Sequence, residues 1–257
     1  MTDSGEGARQ IRALLLDVEG TTTPISFVYD VLFPYARRHL DRYIAANVGA
    51  AEISEVAALL ADEYAADAAR GEPVPRRRPV ANDAASLSEY LNWLMDRDRK
   101  SPGLKRLQGR IWEQGYDDGE LRGEVFDDVP PAFARWSDAG LTIAIYSSGS
   151  VLGQRLLFAH SDHGDLTRWI ARYFDPETGP KRSPESYARI ALSLDLEPAE
   201  IAFVSDVDAE LEAAHNAGCR VLLCVRPGNA ATTSRTAAAV DSFDAVDACL
   251  SLTAARS

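Results

Sequence analysis

The apolar run Ala13–Leu16 stops on Asp17, and the next seven residues bring Glu19, a glycine, three threonines and Pro24. A run this short and aliphatic, bounded by turn formers, reads as a strand buried on both faces, here over residues 11–17. Strands buried in this way belong to parallel sheets, in which consecutive strands are joined by right-handed helical crossovers. Residues two apart on a strand share a face, so Asp17 and Glu19 are expected to look into one cleft while Val18 points elsewhere.

The rest of the chain supplies matching pieces. "LTIAIYSSGS" (141–150) is a strand running into small polar residues, and a helical stretch follows it. "IAFVSDVDAELEAAHNAG" (201–218) reads as strand, turn, helix and glycine stop, and "CRVLLCVRPG" (219–228) as a further strand ending at Pro-Gly. Between the first strand and these lies a different pattern. Val28, Leu32, Tyr35, Leu40 and Ile44 recur at helical spacing, as do Ile53, Val56, Leu60 and Tyr64. Leu87, Leu91, Leu94 and Met95 mark another helix, and Leu104, Leu107 and Ile111 a further one. "RGEPVPRRRP" (70–79), with three prolines, reads as an exposed loop. The expected fold class is therefore α/β, a Rossmann-like parallel sheet with an all-helical insertion. Residues 1–27 and 119–257 form the discontinuous core and 28–118 the insertion.

Ligand crevices in open parallel sheets lie beyond the carboxyl ends of the strands. Three of these strands end in chemistry: Asp17 and Glu19, then Ser147 and Ser148, then Ser205, Asp206 and Asp208. Each signal alone is ordinary, since a strand-end Asp often caps the next helix and "SSGS" is most often a turn. Together, carboxylates crowded at a partly dry rim need a cation or a shared proton. All the donors are hard oxygens, which suits Mg²⁺. Only three of the 27 basic residues are lysine, Lys100, Lys105 and Lys181. Lys181 sits just before a helix start at Ser183 or Pro184, placed to act as a point charge for phosphate.

Other features narrow the function. The formal net charge of −12 argues against a nucleic-acid-binding face. No apolar run reaches the roughly 20 residues of a membrane span, and the polar N-terminus lacks a signal core. Cys219, Cys224 and Cys249 fit no zinc or redox spacing and look like core residues of a cytoplasmic protein. His39, His160, His163 and His215 form no recognised ligand pair. In the insertion, Lys100, Lys105, Gln108 and Trp112 are candidate substrate contacts, although an amphipathic helix with solvated lysines explains each singly.

The order Asp-x-Glu-Gly-Thr, strand-end Ser, loop Lys and later acidic strand end resembles the haloacid dehalogenase superfamily. Most of its phosphatases carry Asp where this chain has Glu19. Longer stretches, "DVEGTTTPISFVYDVLFPYA" (17–36), "LKRLQGRIW" (104–112), "IYSSGSV" (145–151), "LLFAHSDHGDL" (156–166) and "CVRPGNA" (224–230), resemble the enolase-phosphatases, the acireductone synthases of methionine salvage. The resemblance runs from about Ile11 to near Phe243. It implies a bifunctional enzyme that enolises 2,3-diketo-5-methylthiopentyl-1-phosphate and then removes its phosphate to leave the acireductone. It also implies roles: Asp17 as nucleophile and Mg²⁺ ligand, and Glu19 as acid/base whose backbone carbonyl also binds the metal. Ser147 and Ser148 become phosphate binders, Lys181 the phosphate lysine, and Asp206 the remaining ligand of one Mg²⁺ per chain. The insertion becomes the family's cap. The expected partner is a small phosphate ester, with the chain working as a monomer. Rivals are a phospho-receiver module, which is half this length and lacks the insertion, a same-fold Mg-dependent phosphatase for another ester, and a metal-free halide-releasing hydrolase.

Overall fold

The computed structural model describes residues 10–252. The chain divides into two compact units: one extends to Phe27 and resumes at Arg122, the other is Val28–Leu121.

In the first unit β1 is Ala13–Leu16, every residue buried, so the apolar run becomes strand and Asp17 stands just past its end. Its partners are β2 (Thr142–Tyr146) on one side and β4 (Ile201–Ser205) on the other, both parallel. Leu16 lies opposite Ile145 and Val204, so all three strands finish at one level. The full order is β3-β2-β1-β4-β5-β6, with β3 at Ile170–Phe174, β5 at Arg220–Cys224 and β6 at Ala238–Val240. The sequence pattern does not separate β3 or β6 from their loops. β5 also stops at Cys224, short of the Pro-Gly expected to close it.

Helices cover both faces. α7 (Pro184–Ser193) and α8 (Asp208–Asn216) pack Tyr187, Ile190 and Leu211 against Leu15, Tyr146 and Phe203. On the other side α5 (Val129–Asp138), α6 (Val151–Ala159) and α9 (Phe243–Leu250) join through aromatic rings. Trp136 meets Phe243 at 5.1 Å and Phe133 meets Phe158 at 6.1 Å. Burial of such side chains, about 1.5–3 kcal/mol each, is what holds the sheet and its helices as one layered core.

The second unit is helical. After a π-helical turn, Phe27–Leu32, come α1 (Phe33–Asn47), α2 (Ala51–Ala69), α3 (Ala84–Met95) and α4 (Pro102–Asp117). Their starts follow local rules. Asp83 accepts a hydrogen bond from the Ser86 amide at 3.1 Å, and Ser101 Oγ accepts one from the Leu104 amide at 3.1 Å, with Pro102 opening α4. The proline-rich stretch 70–79 carries no helix or strand, as its composition implied. Buried inside this unit, Asp67 pairs with Arg70 and with Arg99 at 2.6 Å and accepts the Tyr90 hydroxyl at 2.7 Å. Among the described residues no single helix is long and apolar enough to cross a membrane.

Candidate active site

Because β1 is flanked by β2 and β4, the polar groups that end these three strands lie at one edge of the sheet. Asp17, buried, directs Oδ1 to the ammonium of Lys181 at 2.7 Å and also accepts the Val18 amide there. Lys181 itself is buried, and its Nζ lies 2.6 Å from Glu210 Oε2. Ser205, the last residue of β4, ties the acids together: its hydroxyl lies 3.2 Å from Asp17 Oδ2 and 3.1 Å from Glu210 Oε2.

Two tyrosines hold the lysine's loop. Tyr146, at the end of β2, donates to the Gly179 carbonyl at 2.7 Å, and Tyr187 in α7 donates to the Lys181 carbonyl at 2.7 Å. The ammonium also sits over the rings of Tyr146 and Phe203, at 5.7 and 5.9 Å. A long, flexible side chain is thereby fixed at its root and along its stem before it meets a carboxylate.

The turn after β1 is fixed as closely. The Val18 carbonyl accepts the amides of Thr21, Thr22 and Thr23, which closes the chain tightly upon itself. Gly20 takes a positive φ of 71°, and a Cβ there would fall 2.6 Å from Asp206 Oδ2 and 2.8 Å from Asn229 Oδ1. Two residues of "CVRPGNA" clamp this turn. Arg226 reaches the Thr21 carbonyl at 3.3 Å while forking onto Asp128 at 2.8 and 3.0 Å, and Asn229 Nδ2 donates to the Gly20 carbonyl at 2.9 Å.

Electrostatics follow from four carboxylates sharing one ammonium. Burial, then the charge of Asp17, pushes Glu19 up to about 7. Burial and Asp17 likewise push Asp206 up to about 6 and raise Glu210. Burial works against the Lys181 ammonium, but Asp17 and Glu210 outweigh it and hold its pKa above the usual lysine value. Glu19 thus shares the field of Asp17, Lys181, Asp206 and Glu210.

Asp206 is not a helix cap: Val207 occupies the N-cap of α8 and no side chain caps it. Ser147 and Ser148 follow β2 at the same edge. Ser147 is buried and its hydroxyl accepts the Gly149 amide at 3.1 Å. Of the candidates in the helical unit, Gln108 is buried and the Trp112 indole N–H donates to the Leu32 carbonyl at 2.9 Å. Two participants were not singled out from sequence, Glu210 and Asn229. Glu210 looks like any first-turn acid of a helix, and Asn229 like any residue of a Pro-Gly turn.

Among the described residues no three Asp, Glu, His or Cys side chains are gathered as a ready cation cage. The site nonetheless fits a hard divalent cation by its chemistry. Its donors are all oxygens, its negative charge exceeds what Lys181 balances, and the buried Asn229 Oδ1 has no hydrogen-bond partner.

A parallel sheet with an acid beyond its central strand, a buried lysine on a later loop and acids after β4 defines the haloacid dehalogenase-like hydrolases. Residues 11–218 match that family's model. Enolase-phosphatase E1 of Synechococcus elongatus is 50% identical over 234 residues, 91% of this chain and 97% of the relative. The enzyme of the same name from Sorangium cellulosum is 44% identical, over 91% and 96%. The chain belongs to the haloacid dehalogenase-like hydrolases and, within them, to the enolase-phosphatase E1 family. The crystal structure of the UTR4 protein of Saccharomyces cerevisiae superposes with a TM-score of 0.74 at 30% identity, covering 91% of this chain and 99% of that one.

Proposed function

We propose that this chain converts 2,3-diketo-5-methylthiopentyl-1-phosphate to the acireductone 1,2-dihydroxy-3-keto-5-methylthiopentene and phosphate, by enolisation and then dephosphorylation, in methionine salvage. The observation that carries this reading is the convergence of Asp17, Glu19, Asp206 and Lys181 at one sheet edge in a chain so close to enolase-phosphatases.

In the first step a base takes a proton from the carbon bearing the phosphate ester, and a water gives one to the neighbouring carbonyl oxygen, which becomes the enol hydroxyl. Glu19 is the candidate base, since a carboxyl with a pKa near 7 exchanges protons readily at neutral pH. In the second step Asp17 attacks phosphorus, forming an aspartyl-phosphate as the bond from phosphorus to the ester oxygen on the adjacent carbon breaks. Glu19 gives that oxygen its proton, then takes one from the water that hydrolyses the aspartyl-phosphate. Lys181 spreads its charge over Asp17 and the transferring group, and Ser147 and Ser148 donate to phosphate oxygens. Asp17, the Glu19 carbonyl and Asp206 would hold one Mg²⁺. When bound, that ion supplies positive charge against the phosphoryl oxygens and the neighbouring carboxylates.

The division into a core of 1–27 and 119–257 and an insertion of 28–118 belongs to this reading. So do a cytoplasmic location and a monomeric state. The test is an assay of purified protein on the diketo-phosphate, with enol and free phosphate followed separately, with and without Mg²⁺. The reading requires both products with Mg²⁺ present. Release of phosphate from simple sugar phosphates at a higher kcat/KM than from the diketo-phosphate would overturn it.

A further inference from the structure

Asn229 is placed oddly for a loop residue. Its Nδ2 donates to two backbone carbonyls, Gly20 at 2.9 Å and Cys224 at 3.3 Å. Both partners are acceptors, so the amide has only one sensible orientation. Turned over, its oxygen would face two carbonyl oxygens. That orientation leaves Oδ1 buried with no hydrogen-bond partner. An unpaired buried acceptor costs about 1–3 kcal/mol, so a fold that keeps one has a donor in view.

Oδ1 lies 2.8 Å, and Asp206 Oδ2 2.6 Å, from the point where a Gly20 side chain would begin. The two acceptors therefore lie side by side against Gly20, near enough for one small group to reach both. A group suited to bridging them offers two hydrogens and accepts none from its neighbours. A water whose lone pair is given to a cation has that character, and Mg²⁺ characteristically keeps several of its waters.

We infer that Asn229 is a positioning residue of the cation site, accepting a hydrogen bond through Oδ1 from a water of the ion's shell beside Asp206. The inference rests on the Mg²⁺ reading proposed above and adds a residue to it. It also gives the "CVRPGNA" stretch a function: Arg226 and Asn229 Nδ2 fix the turn after β1, while Asn229 Oδ1 serves the ion. Partners of this outer kind typically change metal affinity about 10–100-fold when removed.

Two variants separate this from a purely structural tether. Asn229→Ala removes both the donor and the acceptor. Asn229→Asp loses the donor to Gly20 and Cys224 but keeps an oxygen toward Asp206. Each is titrated with magnesium chloride alone by calorimetry, and its melting temperature with chelator present measures the structural cost. The expected result is about 10-fold or greater weakening of Mg²⁺ binding in Asn229→Ala. Asn229→Asp should bind Mg²⁺ at least as tightly as the parent, although its chelated form melts lower. Unchanged affinity in Asn229→Ala, or equal weakening in both variants, overturns the inference and leaves the cation reading standing. A parent protein that binds no Mg²⁺ overturns the cation reading, and this inference with it.

Discussion

Lys181 Nζ lies 2.7 Å from Asp17 Oδ1, a buried contact between a loop before α7 and the residue just past the end of the central strand. The pair is held from outside itself, by Tyr146 and Tyr187 on the lysine's loop and by Ser205 on the aspartate. Lys181→Met is expected to lower kcat/KM for phosphate release by about 10²–10³, the usual cost of one charged donor to a transferring group. Lys181→Arg should not restore it, because a planar guanidinium does not fit between Asp17 and Glu210 as a compact ammonium does. Steady-state phosphate release at saturating Mg²⁺ checks both variants.

With chelator present, stability should fall as pH rises from about 4 to about 7. Glu19 is raised in the folded chain to about 7 from 4.5, and Asp206 to about 6 from 3.8. In that window the folded chain holds protons that the unfolded chain has released, so each step up in pH favours unfolding. The loss from Glu19 alone is at most about 3 kcal/mol. Glu19→Gln should flatten the slope, and adding Mg²⁺ should both flatten it and release protons. Thermal unfolding across pH, and calorimetry in buffers of different ionisation enthalpy, read these effects.

Gly20→Ala should be costly in two ways. The positive φ of 71° strains any side chain, by about 1–2 kcal/mol. The added methyl would also press on Asp206 Oδ2 and Asn229 Oδ1. Displacement of a reacting constellation by even about 1 Å can cost 10²-fold, so kcat/KM should fall by about that factor while the melting temperature drops only modestly.

The helical unit has its own electrostatic anchor in Asp67. Asp67→Ala should destabilise it by about 3 kcal/mol, because the Tyr90 hydroxyl and two arginines lose their common acceptor. Burial opposes ionisation of Asp67, but Tyr90 and Arg99 outweigh it and hold the carboxyl below its usual range. Its contribution is present above the unfolded carboxylate pKa and is lost as pH falls through the lower folded value. Acid unfolding followed by circular dichroism should therefore start at higher pH in the variant.

Where one strand end alone carries the chemistry, sequence suffices: Asp17, Glu19 and Asp206 announce themselves as acids breaking aliphatic runs. The scarcity of lysine singled out Lys181. What pattern could not give is partnership. Glu210 matters because a loop far off in sequence delivers an ammonium to it, and Asn229 because β5 emerges beside the turn after β1. The edge strands are weak signals for a different reason. β3, "IARYF", is exposed at its middle, and β6 has only three residues, so neither shows the buried aliphatic run that marks β1 and β4.

The most direct measurement is a single-turnover reaction with the diketo-phosphate and Mg²⁺, quenched in acid and followed by mass spectrometry of the protein's peptides. One phosphoryl group should appear transiently on the peptide holding Asp17, and none in Asp17→Asn, which should also release no phosphate. Phosphate released at the parent rate by Asp17→Asn, or a phosphoryl group found on another residue, would contradict the account.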